Sequence, residues 1–283
     1  MSESGGPGLP APAAAEDPDW LPPEINAGVA HSARVYDYWL GGKDNFAADR
    51  ALGDAIIEAI PSMKSMARAN RDFLDRAVRY LTREAGVTQF LDIGTGIPTA
   101  GNVHEVAQAA EPASKVVYVD NDPIVLAHAR ALMASHPAGA TAFIDADMRE
   151  PEKILADPAV GKTLDLGKPV ALMLVAILML FKDDENPQGV VSALVDALPS
   201  GSYLTITHPT ADFNPEEMAG AVAAAQYAGI TLVPRSQAEV EAFFTGLELV
   251  DPGVAPVLAW QPDGALPENP RSAYYYAAIG RKP

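Results

Sequence analysis

Downstream of Gly86 the apolar pattern changes period, and that change restricts the fold more than any single motif does. Short β-type runs at 88–93, 115–119, 140–144, 169–175 and 202–207 alternate with helical stretches. The run at 169–175 is apolar throughout, as expected of a strand buried on both faces. Helix starts are written into the spaces between the strands. Residues 102–110 follow a glycine loop, Asp122-Pro123 supplies a cap and first-turn pair for a helix to about 135, and Asn186-Pro187 opens another. Asn214-Pro-Glu-Glu and the capping box from Ser236 to Glu239 open two more. Strand and helix alternating at this spacing predict a doubly wound α/β sheet. The end departs from the pattern. The segments 247–250, continued to 260, and 273–280 have no helix between them, which predicts an antiparallel closing hairpin.

Upstream, residues 31–86 read as helical. Leu52, Ala55, Ile56, Ala59 and Ile60 recur at helical spacing until Pro61, and Ser62 caps a long helix to about 85. On that helix Met66, Phe73, Leu74, Ala77, Tyr80 and Leu81 share an apolar face, opposite a solvated stripe of Lys64, Arg68, Arg79 and Arg83. Asn70 falls inside the apolar arc and needs a partner there, either backbone or ligand. Residues 1–24 carry six prolines among Gly, Ala and acids and predict a disordered tail, with Trp20 the one residue suited to docking. The expected division is therefore a tail at 1–24, a helical extension or lid at 25–86, and a ligand-binding domain at 87–283. Absence of cysteine excludes disulfides and thiolate chemistry, and the five histidines show no metal-ligand spacing. Lys plus Arg is 20 against 37 for Asp plus Glu, a net charge of −17 that repels phosphate backbones and anionic lipid. No secretory signal is evident, and the longest apolar run, 170–181, is too short to span a bilayer. The expectation is a cytoplasmic protein acting on a small molecule, without nucleic acid, membrane or metal, its oligomeric state open.

The sequence LDIGTGIPTAGN at 91–102 joins the first strand to its helix, where ligands of such sheets sit. Gly94 and Gly96 allow close backbone approach, with Thr95 between them. Asp92 stands at the end of the first strand, Asp120 with Asn121 at the end of the second, and Asp147-Met148 after the third. Such acids suit a ligand amino group, ribose hydroxyls and an adenine edge in turn. Two adenosine ligands compete. A dinucleotide needs a third glycine or alanine where this chain has Thr99, and its two phosphates meet three acids. S-adenosylmethionine carries no phosphate and a positive sulfonium, and fits the acids better. A reading of the three aspartates as strand-end caps stays open beside both.

The segments YDYWLGGKDNFAADR (36–50), ARANRDFLDRAVRYL (67–81), QFLDIGTGIPT (89–99) and VVYVDNDPIVLAHARAL (116–132) resemble the actinobacterial S-adenosylmethionine-dependent methyltransferase family, long filed as a domain of unknown function. The resemblance runs from about residue 26 to the C-terminus. It implies a class I, Rossmann-like methyltransferase fold with a seven-stranded, mostly parallel sheet and an N-terminal helical extension, and it names no acceptor. It implies that Asp92, Gly94, Thr95, Gly96, Asp120, Asn121, Asp147 and Met148 bind the cofactor. It adds Gly41, Gly42 and Asn45 as cofactor-binding residues of an extension that closes over the cofactor, and Arg71 with Asn70 for the methionine carboxylate. Relatives tend to carry Leu-His after the fourth strand, whereas this chain has Leu178-Met179. With that histidine missing, the catalytic candidates are His208, Tyr38 and Tyr36. Two other functions remain at this point: an NAD-linked oxidoreductase, and a non-catalytic S-adenosylmethionine-binding protein.

Overall fold

The structure, a computed structural model, describes residues 26–125, 128 and 135–283. The proline-rich segment 1–24, Trp20 and most of the helix expected after Pro123 lie outside the described residues. Three helices open the described chain: α1 (Ser32–Leu40), α2 (Ala47–Ala59) and α3 (Met63–Arg83). Then follow β1 (Gln89–Ile93), α4 (Val103–Ala110), β2 (Lys115–Asp120) and β3 (Ala140–Asp145). Two short helices, α5 (Pro151–Ala156) and α6 (Pro158–Thr163), precede β4 (Ala171–Val175). They were not expected, because Asp157-Pro158 cuts the periodic stretch into pieces too short to read. Each piece nevertheless begins with proline in its first turn, where the missing N–H is no loss. α7 (Pro187–Asp196), β5 (Tyr203–Pro209), α8 (Pro215–Tyr227), α9 (Gln237–Ala242) and the strands β6 (Glu248–Leu249), β7 (Ala255–Pro256) and β8 (Tyr275–Arg281) complete the order.

The sheet runs β3-β2-β1-β4-β5-β8-β6, with β7 also paired to β8. The first five strands are parallel, and β8 lies antiparallel to β5, β6 and β7. The expected closing hairpin thus becomes two short strands sharing one long partner, which makes eight strands from the expected seven. Asp251, Pro252 and Gly253 cause the split: the proline offers no N–H to the ladder, and Gly253 sits at a φ of 80°.

Side-chain alternation decides what each face covers. Phe90 and Asp92 of β1 and Val116 and Tyr118 of β2 point to the face covered by α3 and α4. Leu91, Ile93, Val117 and Val119 point to the other apolar layer. α3 buries Met66, Phe73, Leu74, Ala77 and Leu81, as its periodicity predicts. Phe73 and Tyr80 meet Trp260 edge-on at 5.2 and 6.0 Å, and Arg76 donates to the carbonyls of Val257 and Trp260. The first helices therefore pack onto the segment before the last strand.

Asp49 holds the extension together. Its carboxylate accepts from the amides of His31 and Phe46, each at 2.8 Å, and pairs with the Arg34 guanidinium at 2.9 Å, with both side chains buried. Removing one partner of a buried pair leaves the other charge desolvated, at about 3–5 kcal/mol. Asp49→Ala is expected to lower the free energy of urea unfolding by that order. A loss under about 1 kcal/mol would show that the extension is held by its apolar contacts alone.

Candidate active site

The carboxyl ends of β1, β2 and β3 and the turn after β4 surround one crevice, and α1, α2 and α3 close it from the side. Its volume is about 410 Å3, within the range of small-molecule sites. Gly94 and Gly96 lie in left-handed conformations, with φ of 76° and 67°. The Gly94 amide donates to the Val119 carbonyl at 2.8 Å, and a Cβ on Gly94 would come within 2.6 Å of the Ile177 side chain. Glycine is thus required there both for φ and for space. Thr95 Oγ1 donates to the Asp92 carbonyl at 3.2 Å. Asp120 accepts from the amides of Gly96 (2.8 Å) and Asp122 (3.0 Å), so it shapes the glycine loop as well as facing the crevice. Burial holds its carboxyl above the usual range.

Asp92 points to the α3 face beside Tyr118 and Met173, its register partners on β2 and β4. Burial pushes its carboxyl up to about 7, Arg71 pulls it back, and Asp120 adds a smaller upward push. Arg71 donates to the carbonyls of Gly101 (2.9 Å) and Ala100 (3.4 Å) and also lines the crevice. Asp147 accepts from the amide of Arg149 and from Asn121 Nδ2, and Met148 is buried beside it.

The crevice therefore brings together Asp92, Gly94, Thr95, Gly96, Asp120, Asn121, Asp147, Met148, Arg71, Asn70 and Tyr36. It does not include Gly41, Gly42, Asn45, Tyr38 or His208. Gly41 ends α1 at a φ of 85°, and Gly42 packs so close to Asp37 that a Cβ would overlap its carboxylate. Asp37 Oδ2 also accepts from the Asp44 amide and Asn45 Nδ2. The two glycines and Asn45 thus build a hydrogen-bonded turn around Asp37, outside the crevice lining. Tyr38 donates to Asp54 at 2.7 Å on the exposed side. His208 is fully buried on β5. Its Nδ1 lies 2.9 Å from the Pro209 carbonyl and its Nε2 3.0 Å from the Arg235 guanidinium. Burial holds its pKa down at about 4, so it is a neutral internal residue.

Other lining residues carried no sequence signal. Arg149 pairs with Glu185 at 2.6 Å and Asp147 at 3.3 Å, and lies 4.5 Å over the Phe181 ring. Only its place directly after Asp147-Met148 could have suggested it. Ile177, residues 179–181 and residues 229–232 form a further wall, joined by the Val233 amide donating to the Met179 carbonyl. The sequence marked this stretch only by the Leu178-Met179 departure and carried no motif at 229–232. His31, 2.7 Å from Asp122, tethers the extension to the end of β2.

Glu105 Oε2 accepts from the amides of Gly101 (2.7 Å) and Asn102 (2.9 Å), which closes a capping box at the start of α4, outside the crevice lining. Asp92, Asp120 and Asp147 around the glycine loop match a dinucleotide's phosphates poorly, and a phosphate-free, cationic adenosine fits them better. Among the described residues no group of three or more His, Asp or Glu is arranged to hold a metal ion. No helix among them is long and apolar enough to cross a membrane.

A parallel sheet with a reversed strand inserted beside β5, and acids at the ends of three neighbouring strands around a glycine loop, defines a class I methyltransferase fold. The chain belongs to the S-adenosyl methyltransferase family, whose model matches residues 18–283. It is similar in structure to a DUF574 family protein from Streptomyces avermitilis MA-4680, at 47% identity over 91% of this chain and 99% of that one, with a TM-score of 0.88. It is also similar to a candidate methyltransferase from Thermobifida fusca YX, at 43% identity over 93% and 99% of the two chains, with a TM-score of 0.85. A search of curated proteins finds no match. The chain is an S-adenosylmethionine-dependent methyltransferase with an unidentified acceptor.

Burial of Asp92 has a thermodynamic signature. Below about pH 4 folded and unfolded chains both keep this proton. Between about pH 4 and pH 7 only the folded chain keeps it, so stability falls as pH rises. Asp92→Asn removes that penalty. The variant is expected to gain stability over the parent at pH 8, by at most about 4 kcal/mol at 1.36 kcal/mol per pKa unit, with the gain vanishing near pH 4. Urea unfolding at the two pH values checks this, and an equal effect at both would refute it.

Proposed function

We propose that this methyltransferase acts on a small molecule and holds S-adenosylmethionine along the ends of β1, β2 and β3. In this reading Asp147 and Met148 meet the adenine, Asp120 the ribose hydroxyls, and Asp92 the methionine ammonium. Arg71 faces the methionine carboxylate, and Gly94, Thr95 and Gly96 let the backbone approach. The observation that carries the reading is the line of three carboxylates, Asp147, Asp120 and Asp92, along one crevice, the last of them buried and held up at about 7. A cation placed beside it restores the charged form and relieves the desolvation.

When bound, S-adenosylmethionine supplies a methyl group already activated by its positive sulfonium. The protein's own work is to position and to exclude water, which alone can account for several kcal/mol of barrier lowering. The helical extension, residues 25–86, serves as the fixed wall over the ligand. Within it segment 36–50 builds the Asp37 turn and the Asp49 clamp. No general base is assigned to His208, which is bonded on both ring nitrogens away from the crevice. The net charge of −17 supports a small-molecule acceptor over nucleic acid, and a sequence without cysteine suits a cytoplasmic setting.

Calorimetry with S-adenosylhomocysteine tests the assignment. Asp120→Ala removes charged hydrogen bonds worth roughly 1.5–3 kcal/mol and is expected to weaken binding about tenfold to a hundredfold. An unchanged Kd would remove Asp120 from the ribose role. NAD is expected to give no heat of binding.

A further inference from the structure

This inference deepens the reading above and rests on it. Asp147, Asp120 and Asp92 follow β3, β2 and β1 across the sheet, and the next strand in that order is β4. A cofactor laid along those acids therefore turns its methionine end toward β4, and an acceptor has to approach past the end of that strand. The crevice continues there, beyond Val175 and Ala176, into a chamber walled by Trp39, Leu52, Ile56, Leu74, Ile230 and Leu232. Apart from Arg71, no charged residue reaches the crevice from α1, α2, α3 or segment 225–232. Arg71 stands at the boundary with Asp92, its guanidinium donating to the glycine-loop carbonyls. A carboxylate or phosphate acceptor would enter this chamber without a counter-charge of its own.

The chamber wall does hold one polar pair. The Tyr36 hydroxyl donates to the Ala67 carbonyl at 3.0 Å and accepts from Asn70 Nδ2 at 2.8 Å. With its amide N–H committed to Tyr36, Asn70 keeps Oδ1 as an acceptor, buried and without a hydrogen-bond donor among the described residues. Asn70 is only 1% exposed, and an unmet buried carbonyl oxygen is unfavourable unless something supplies a donor.

We propose that this chamber is the acceptor site. It takes a neutral, mainly apolar small molecule carrying one O–H or N–H, which donates to Asn70 beside Tyr36. Thr231, on the opposite segment, and Ser32, at the start of α1, also line the crevice. Because the whole crevice is about 410 Å3 and must also hold the cofactor, the acceptor is small.

The test is calorimetry on the full chain saturated with S-adenosylhomocysteine, using 4-ethylphenol as the neutral probe and 4-ethylbenzoate as its charged counterpart. The phenol is expected to bind saturably and the benzoate at least tenfold more weakly. Asn70→Ala and Tyr36→Phe are each expected to weaken the phenol about threefold to tenfold. Leu74→Trp, which fills the chamber, is expected to abolish its binding. S-adenosylhomocysteine affinity in each variant reports whether the cofactor half is intact. If Asn70→Ala fails to fold, Tyr36→Phe, which deletes a single oxygen, carries the comparison. Absence of phenol binding, benzoate binding as tight as the phenol, or unchanged phenol affinity in the folded variants overturns the proposal. Failure of the parent protein to take up S-adenosylhomocysteine is a separate result, which overturns the cofactor reading and this inference with it.

Discussion

Burial of one carboxylate, Asp92, sets the electrostatic character of the crevice. Strand alternation turns Asp92 toward the same face as Phe90, and α3 packs over that face with Leu74 and Asn70 nearby in the crevice wall. The helical extension is therefore more than a cover. By excluding water from the end of β1 it makes the carboxyl reluctant to ionise, and so creates a demand for positive charge at one place. Arg71 meets that demand only in part, because its guanidinium is also bonded to the loop carbonyls. Stability given up at such a position is the usual companion of a binding site.

Around that centre the loops are tied to one another by side chains, which limits how far any of them can move alone. Asp120 binds the glycine loop to the end of β2, and Arg149 bridges Asp147 to Glu185 and the Leu180 carbonyl. Arg235 donates to the carbonyls of Leu178 and Phe181 and to Asp183, and its contact with His208 anchors this loop to β5. Neutral His208 can accept from a guanidinium, whereas a protonated ring could not. The histidine that sequence reasoning offered as a base is thus part of a scaffold holding the wall after β4. Preorganisation of this kind lowers the entropy lost when a ligand is fixed.

Much of the architecture was legible because it depends on period and punctuation. The change of period after Gly86, the unbroken apolar run of β4 and the Asn-Pro helix starts are local signals, and the structure follows them. The strand-end acids were legible for the same reason, since topology fixes where a strand's carboxyl end lies. Contacts set by how side chains fold back on one another were not. Nothing local to Gly41-Gly42 says that the pair folds around Asp37, and nothing local to Tyr38 says that it turns outward to Asp54. Glu105 belongs with the local signals, as the capping-box partner of Asn102 three residues before it. Asn70 is the intermediate case. Periodicity showed that a polar residue would be buried, and only packing could name Tyr36 as its neighbour.

Glu105 carries a consequence for the neighbouring cation. Its carboxylate takes the amides of Gly101 and Asn102, two donors that no helical turn would satisfy. The turn before α4 is thereby held in one shape, and the carbonyls of Ala100 and Gly101 stay in reach of the Arg71 guanidinium. A glutamate outside the crevice thus helps to fix where a positive charge stands inside it.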